Sequence, residues 1–133
     1  MIDVEKVQGW VEQMGYGSTV ASPNVLRLKP PEAEDDLPAF FIQCSENWIL
    51  LSILPALGPV EELTDELPRQ LLFANRDMRI AKFALSKSND VILCAELPTE
   101  SLSYPELADA VQRLAGYCRH YRSCLRKRPL NLG

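Results

Sequence analysis

Residues 40–54 read Phe-Phe-Ile-Gln-Cys-Ser-Glu-Asn-Trp-Ile-Leu-Leu-Ser-Ile-Leu: two apolar runs, 40–44 and 48–54, parted by the polar spacer Ser45-Glu46-Asn47. A spacer this short joins antiparallel strands. Successive strand residues point to opposite faces, so Phe40, Ile42 and Cys44 lie opposite Phe41, and Trp48, Leu50 and Leu54 lie opposite Ile49, Leu51 and Ile53. Both faces are apolar. A central hairpin covered on both sides is therefore expected.

On the N-terminal side, Val25-Leu26-Arg27-Leu28-Lys29 alternates as a half-buried strand does, and runs into Pro30-Pro31 and an acidic stretch, 32–36, read as a solvated loop. Residues 3–14 place Val4, Val7, Val11 and Met14 at helical spacing, with Gly15 as the stop. Gly15-Tyr16-Gly17 resembles the start of a dinucleotide-binding fingerprint. It is discounted because the third glycine position holds Ala or Val and a helix, not a strand, precedes it.

On the C-terminal side, Pro55 and Pro59 end the sheet segment. Thr64-Asp65-Glu66 supplies a candidate N-cap with acid in the first turn, ahead of a helix to about Asn75 that tolerates Pro68 in its first turn. Residues 80–85 and 91–97 flank the turn-forming Ser86-Lys87-Ser88-Asn89-Asp90, a second hairpin. Ser103-Tyr104-Pro105-Glu106 matches a capping box. Leu107, Ala110, Val111, Leu114, Tyr117, Cys118, Tyr121 and Leu125 then follow at three- and four-residue steps as one buried stripe. The order is α-β-β-β-α-β-β-α, and the tight spacers favour antiparallel pairing. The fold class is α+β, an antiparallel sheet of about five strands flanked by helices.

A chain of 133 residues with 47% hydrophobic and 24% charged residues suits one globular core. The domain is placed at 1–126, with a basic tail at 127–133 whose removal should leave the fold intact. Residues 1–112 carry eighteen carboxylates and eight cations, whereas residues 113–133 carry six cations and no carboxylate. The longest apolar run falls far short of the ~20 residues of a membrane span. The N-terminus opens with Asp3 and Glu5 rather than the basic start of a secretory signal, so a cytoplasmic location is expected.

Composition argues against catalysis, metals and cofactors. Cys44, Cys94, Cys118 and Cys124 contain no C-x-x-C unit, the only histidine is His120, and free thiols are expected. Cys118 and Cys124 lie about 240° apart on one helix and cannot bridge within it. A hydrolase would need His120 as its base, yet that residue falls one position off the apolar stripe, where a surface histidine is the simpler reading. Glu61-Glu62 and Asp65-Glu66 are explained by solvation and the helix dipole. Arg119, Arg122, Arg126, Lys127 and Arg128 could meet phosphates, but the acidic body and a pI near 5.0 oppose a polyanion, and the cations suit a helix C-terminus. Surplus apolar surface is the more functional feature, with Trp48, Phe40 and Ile42 as candidate anchors.

Leu71-Leu72-Phe73-Ala74-Asn75, Ala81-Lys82-Phe83-Ala84-Leu85, Val91-Ile92-Leu93, Glu96-Leu97-Pro98 and Leu102-Ser103-Tyr104-Pro105-Glu106-Leu107 together resemble the YbjN family. That family is similar in fold to the class I chaperones of type III secretion, the Tir-chaperone-like group. The likeness spans about residues 65–125, and the basic tail belongs to neither pattern. The resemblance implies a small, acidic, commonly dimeric and non-enzymatic domain that holds an extended partner segment, such as part of a secreted effector. It implies client contacts at Val7, Val11, Leu26, Leu28, Phe40, Ile42, Trp48 and Leu50, and dimer contacts at Leu71, Leu72 and Phe83. The expected function is a non-catalytic protein-binding module, with no cofactor and a homodimeric state. The alternatives are a nucleic-acid-associated regulator using the basic helix end, and a small hydrolase using His120.

Overall fold

The structure, a computed structural model, describes residues 1–31, 37–57 and 65–125. The acidic run 32–36, Pro59, Thr64 and the tail lie outside the described residues. The chain opens with helix α1 (Val4–Gln13). Asp3 caps it by accepting the Glu5 N–H at 3.0 Å, and Gly15, at φ +91°, turns the chain away. Next comes a strand that side-chain pattern did not reveal, β1 (Gly17–Ser22). Val20 is its one large apolar residue, so there is no alternation to read; backbone pairing holds it instead, with Ser18 opposite Leu28 and Val20 opposite Leu26.

Strands β2 (Val25–Lys29), β3 (Ala39–Cys44) and β4 (Trp48–Leu54) follow as expected. The hairpin register sets Phe40 against Ile53, Ile42 against Leu51 and Cys44 against Ile49. Helix α2 (Leu67–Asp77) has Glu66 at its N-cap with no side-chain capping bond and no acid in its first turn, unlike the start expected from Thr64-Asp65-Glu66. Strand β5 (Lys82–Leu85) starts two residues later than its apolar run, because Ile80 sits at φ +70°, incompatible with extended chain. Strand β6 (Val91–Pro98) precedes helix α3 (Tyr104–Leu125). The capping box forms there: the Ser103 N–H donates to Glu106 Oε1 at 3.2 Å, and the Glu106 N–H approaches Ser103 Oγ at 3.4 Å.

All pairings are antiparallel, and the six strands run in the order β1-β2-β3-β4-β6-β5. This is the expected α+β class with one more edge strand. The registers collect Leu26, Leu28, Phe40, Ile42, Ile49, Leu51, Ile53, Leu93 and Phe83 on one face, and all are buried. Val7 and Val11 of α1 and Leu107, Ala110, Val111, Leu114 and Cys118 of α3 close over that face. Each fully buried aliphatic side chain contributes about 1.5–3 kcal/mol over leaving it in water. Among the described residues no helix packs on the opposite face, so the hairpin is covered on one side rather than two.

Candidate protein-binding site

Strand parity sorts the expected contact residues into two sets. Val7, Val11, Leu26, Phe40 and Ile42 are 0% exposed and Leu28 is 3% exposed. These six fill the space under α1 and α3, so in this conformation they are core and offer a partner no surface. The reading that grouped Phe40 and Ile42 with Trp48 as anchors is corrected, because Trp48 has the opposite parity. Trp48 is 48% exposed and Leu50 is half-buried; these two lie on the open face.

On that open face half-buried Val25, Phe41, Leu50, Leu54 and Ile92 are interspersed with Arg27, Gln43, Ser52, Glu96 and Lys82. Phe41 pairs with Ser52 and lies beside Arg27, whose guanidinium carbon is 5.9 Å from the ring centroid. Leu50, Leu54, Val25 and Ile92 are half-buried on the same face. Lys82 Nζ and Glu96 Oε1, 3.8 Å apart, stand toward the β5 side, and the Cys94 thiol beside them is pushed up from its ordinary value mainly by burial. At the hairpin end, Trp48 borders a shallow cleft of about 750 Å³ shared with Ile2, Lys6, Glu46 and Leu102.

A second exposed apolar region runs along α2 and β5. Leu72 is 72% exposed and Phe73 is 47% exposed, its ring lying between the guanidiniums of Arg69 and Arg76 at 5.5 and 5.2 Å. Ile80 and Leu85 add to it. Of the expected dimer contacts, Leu72 is on this surface and Leu71 is half-buried. Phe83 points inward and meets Tyr121 edge-on at 5.5 Å, so it is corrected to a core position. Phe73, Ile80 and Leu85 were missed because apolar residues in a helix and an edge strand read as core unless the partner element is known.

The sheet ends in two edge strands: β1, whose side chains are almost all exposed, and β5, whose Phe83 backbone groups are met by Asn75 of α2. The Gln8 Nε2 amide donates to Ser18 Oγ at 3.1 Å and ties α1 to the first edge. His120 is exposed on α3, edge-on to Tyr121 at 4.8 Å. Among the described residues no group of three or more His, Cys, Asp or Glu stands close enough to hold a metal ion. No described helix is long and apolar enough to cross a membrane.

The fold is similar to those of several solved structures. A chain of the heterodimeric ExoU–SpcU complex of the Pseudomonas aeruginosa type III secretion system superposes with a TM-score of 0.67 at 22% identity, over 90% of this chain and 97% of that one. YbjN from E. coli gives 0.66 at 16% identity, over 96% and 97%. A chain of the HopA1–SchA chaperone–effector complex gives 0.67 at 15% identity, over 92% and 99%. At these identities the likeness establishes the architecture. No curated protein matches by sequence. Residues 14–122 match the sequence model of the Tir chaperone protein (CesT) family, and that match runs from the end of α1 almost to the end of α3. The chain therefore belongs to the Tir chaperone protein (CesT) family.

Proposed function

We propose that this chain is a cytoplasmic, non-catalytic chaperone-type module, working as a homodimer, whose open sheet face receives a segment of a partner polypeptide such as a secreted effector. The observation that carries the reading is that face: Phe41, Leu50, Leu54, Val25 and Ile92 are half-buried on it with no described helix over them, and the half-exposed Trp48 stands at its rim. Apolar side chains on an uncovered sheet face suit an interface, and an aromatic at the rim is the type of residue that anchors one. Arg27 and Lys29 border the apolar residues on the β2 side, so a segment carrying carboxylates there would be oriented by charge, whereas Lys82 is paired with Glu96. Family membership and the fold shared with a chaperone–effector complex support the same reading.

For the dimer, Leu72 and Phe73 with Ile80 and Leu85 supply the apolar centre and Leu71 its inner edge. A two-fold axis across α2 sets like residues around one point and opposes the two helix directions. Asp65 and Glu66 at one end of α2 would then face Arg76 and Arg79 of the second copy.

The test is affinity capture from the native cell, followed by co-expression of the captured partner with the native chain, Trp48→Asp and Leu50→Asp. A charge placed at a buried anchor should weaken the complex at least about 30-fold, the equivalent of about 2 kcal/mol. Equal recovery with both variants would remove the open face from the proposal.

A further inference from the structure

The connection between α2 and β5 is drawn tight between anchors. Met78 and Ala81 are buried, and the Asn75 side chain holds both backbone groups of Phe83. On the other side the Arg79 N–H donates to the Tyr117 hydroxyl of α3 at 3.1 Å. Between these anchors the Ala81 N–H donates to the Arg79 carbonyl at 2.7 Å, so the chain reverses in a three-residue turn centred on Ile80 at φ +70°. That is the strained hand of the γ-turn, and a β-branched residue suits it poorly. The anchors on both sides hold the strain in place.

Glycine would take the same turn freely. The interior does not account for isoleucine either, because Ile80 is 50% exposed. Its side chain enlarges the apolar surface of Leu72, Phe73 and Leu85. The charges beside that surface are complementary to themselves. Leu72 is the central residue of α2; exposed Glu66 lies six residues before it and exposed Arg79 seven after, and neither has an ion-pair partner among the described residues.

We infer, resting on the homodimer proposed above, that Ile80 is a self-recognition residue: its strained turn lowers the stability of the single chain and holds an apolar side chain outward for a second copy to cover. A two-fold axis at Leu72 brings Glu66 of each copy to Arg79 of the other. The same axis carries Ile80 to the first turn of the opposing α2, where Leu67 is half-buried and Pro68 exposed.

Ile80→Gly and Ile80→Ala separate strain from contact, since both remove the side chain and only alanine keeps the strain at positive φ. Melted in the Leu72→Asp background, which isolates the single chain, Ile80→Gly should exceed Ile80→Ala by about 3 °C, the reverse of the order at an ordinary position. Sedimentation equilibrium of the full chain with Leu72 intact should show both variants dimerising at least about tenfold more weakly. Arg79→Glu should also weaken the dimer, and adding Glu66→Arg should restore it, because the pair is only exchanged. An alanine variant as stable as the glycine variant, or a charge exchange that restores nothing, would overturn the inference. Unchanged association of both Ile80 variants, beside a Leu72→Asp chain that dissociates, would overturn it and leave the dimer standing. A native chain that is monomeric at every concentration would remove the dimer and the role of Ile80 together.

Discussion

Asn75→Ala should cost the fold far more than its position on an outer helix suggests. Helix α2 has a modest apolar grip on the body: of its eleven residues only Ala74 is buried, with Leu67 and Leu71 half-buried against the core and Met78 just past the end. Asn75 adds a polar clamp. Its Oδ1 accepts the Phe83 N–H at 2.6 Å, and its Nδ2 donates to the Phe83 carbonyl at 3.2 Å. The side chain thus does for the free edge of β5 what a neighbouring strand would do. Two such hydrogen bonds are worth about 0.5–1.5 kcal/mol each, and alanine also leaves a part-buried amide and carbonyl without partners, so the loss should be about 2 kcal/mol. For a chain of this size that corresponds to a fall in Tm of roughly 8 °C. In urea the midpoint should drop with the slope unchanged, because the same surface is exposed on unfolding. Asn75→Asp keeps the acceptor but sets a carboxylate oxygen against the Phe83 carbonyl, and should lose at least as much. An alanine variant within about 0.5 kcal/mol of the native chain would show that α2 is held by something other than this clamp.

Phe40→Ala removes a fully buried ring that meets Tyr16 edge-on at 6.3 Å, and should destabilise by about 3–5 kcal/mol in urea unfolding; a loss below about 1 kcal/mol would contradict its place in the core. Leu72→Asp, at an exposed helix position, should change stability by less than about 0.5 kcal/mol while light scattering after gel filtration shows a shift from dimer to monomer; a persisting dimer would take α2 out of the proposed contact. Burial holds the thiols of Cys44 and Cys94 above their ordinary value of 9.0, and burial followed by Asp77 does the same for Tyr121 above 10.0. The native state then keeps protons that the unfolded chain releases, so this stability is complete below about pH 9 and is lost as pH rises beyond it. Tm should fall through that range and fall less in Cys94→Ala; a rise in Tm would reverse the sign of the argument.

Much of this architecture is legible because several of its elements are strongly patterned. The capping box at Ser103 and the stripe from Leu107 to Leu125 describe α3 almost completely, since an N-cap and a 3.6-residue period are local properties. The central hairpin follows from Ser45-Glu46-Asn47 between two strand-like runs. Strand β1 was illegible for the converse reason: an exposed edge strand is held by backbone bonds to β2, and Gly-Ser-Thr-Val-Ala-Ser records none of them. Of the candidate contacts, Trp48 and Leu50 lie on the open face, whereas Phe40 and Ile42, grouped with them, belong to the interior.

By itself, then, the amino-acid order determined the three helices, five of the six strands and the antiparallel pairing of the sheet. Only the tertiary structure decided which face of Trp48–Leu54 would be covered. Both faces there are apolar, so each could serve as core, and local pattern cannot choose between them. The choice came from the paths of α1 and α3, whose stripes bury the face carrying Ile49, Leu51 and Ile53. Because α1 and α3 pack against each other as well as against that face, both lie on one side, and no described helix covers Leu50 and Leu54.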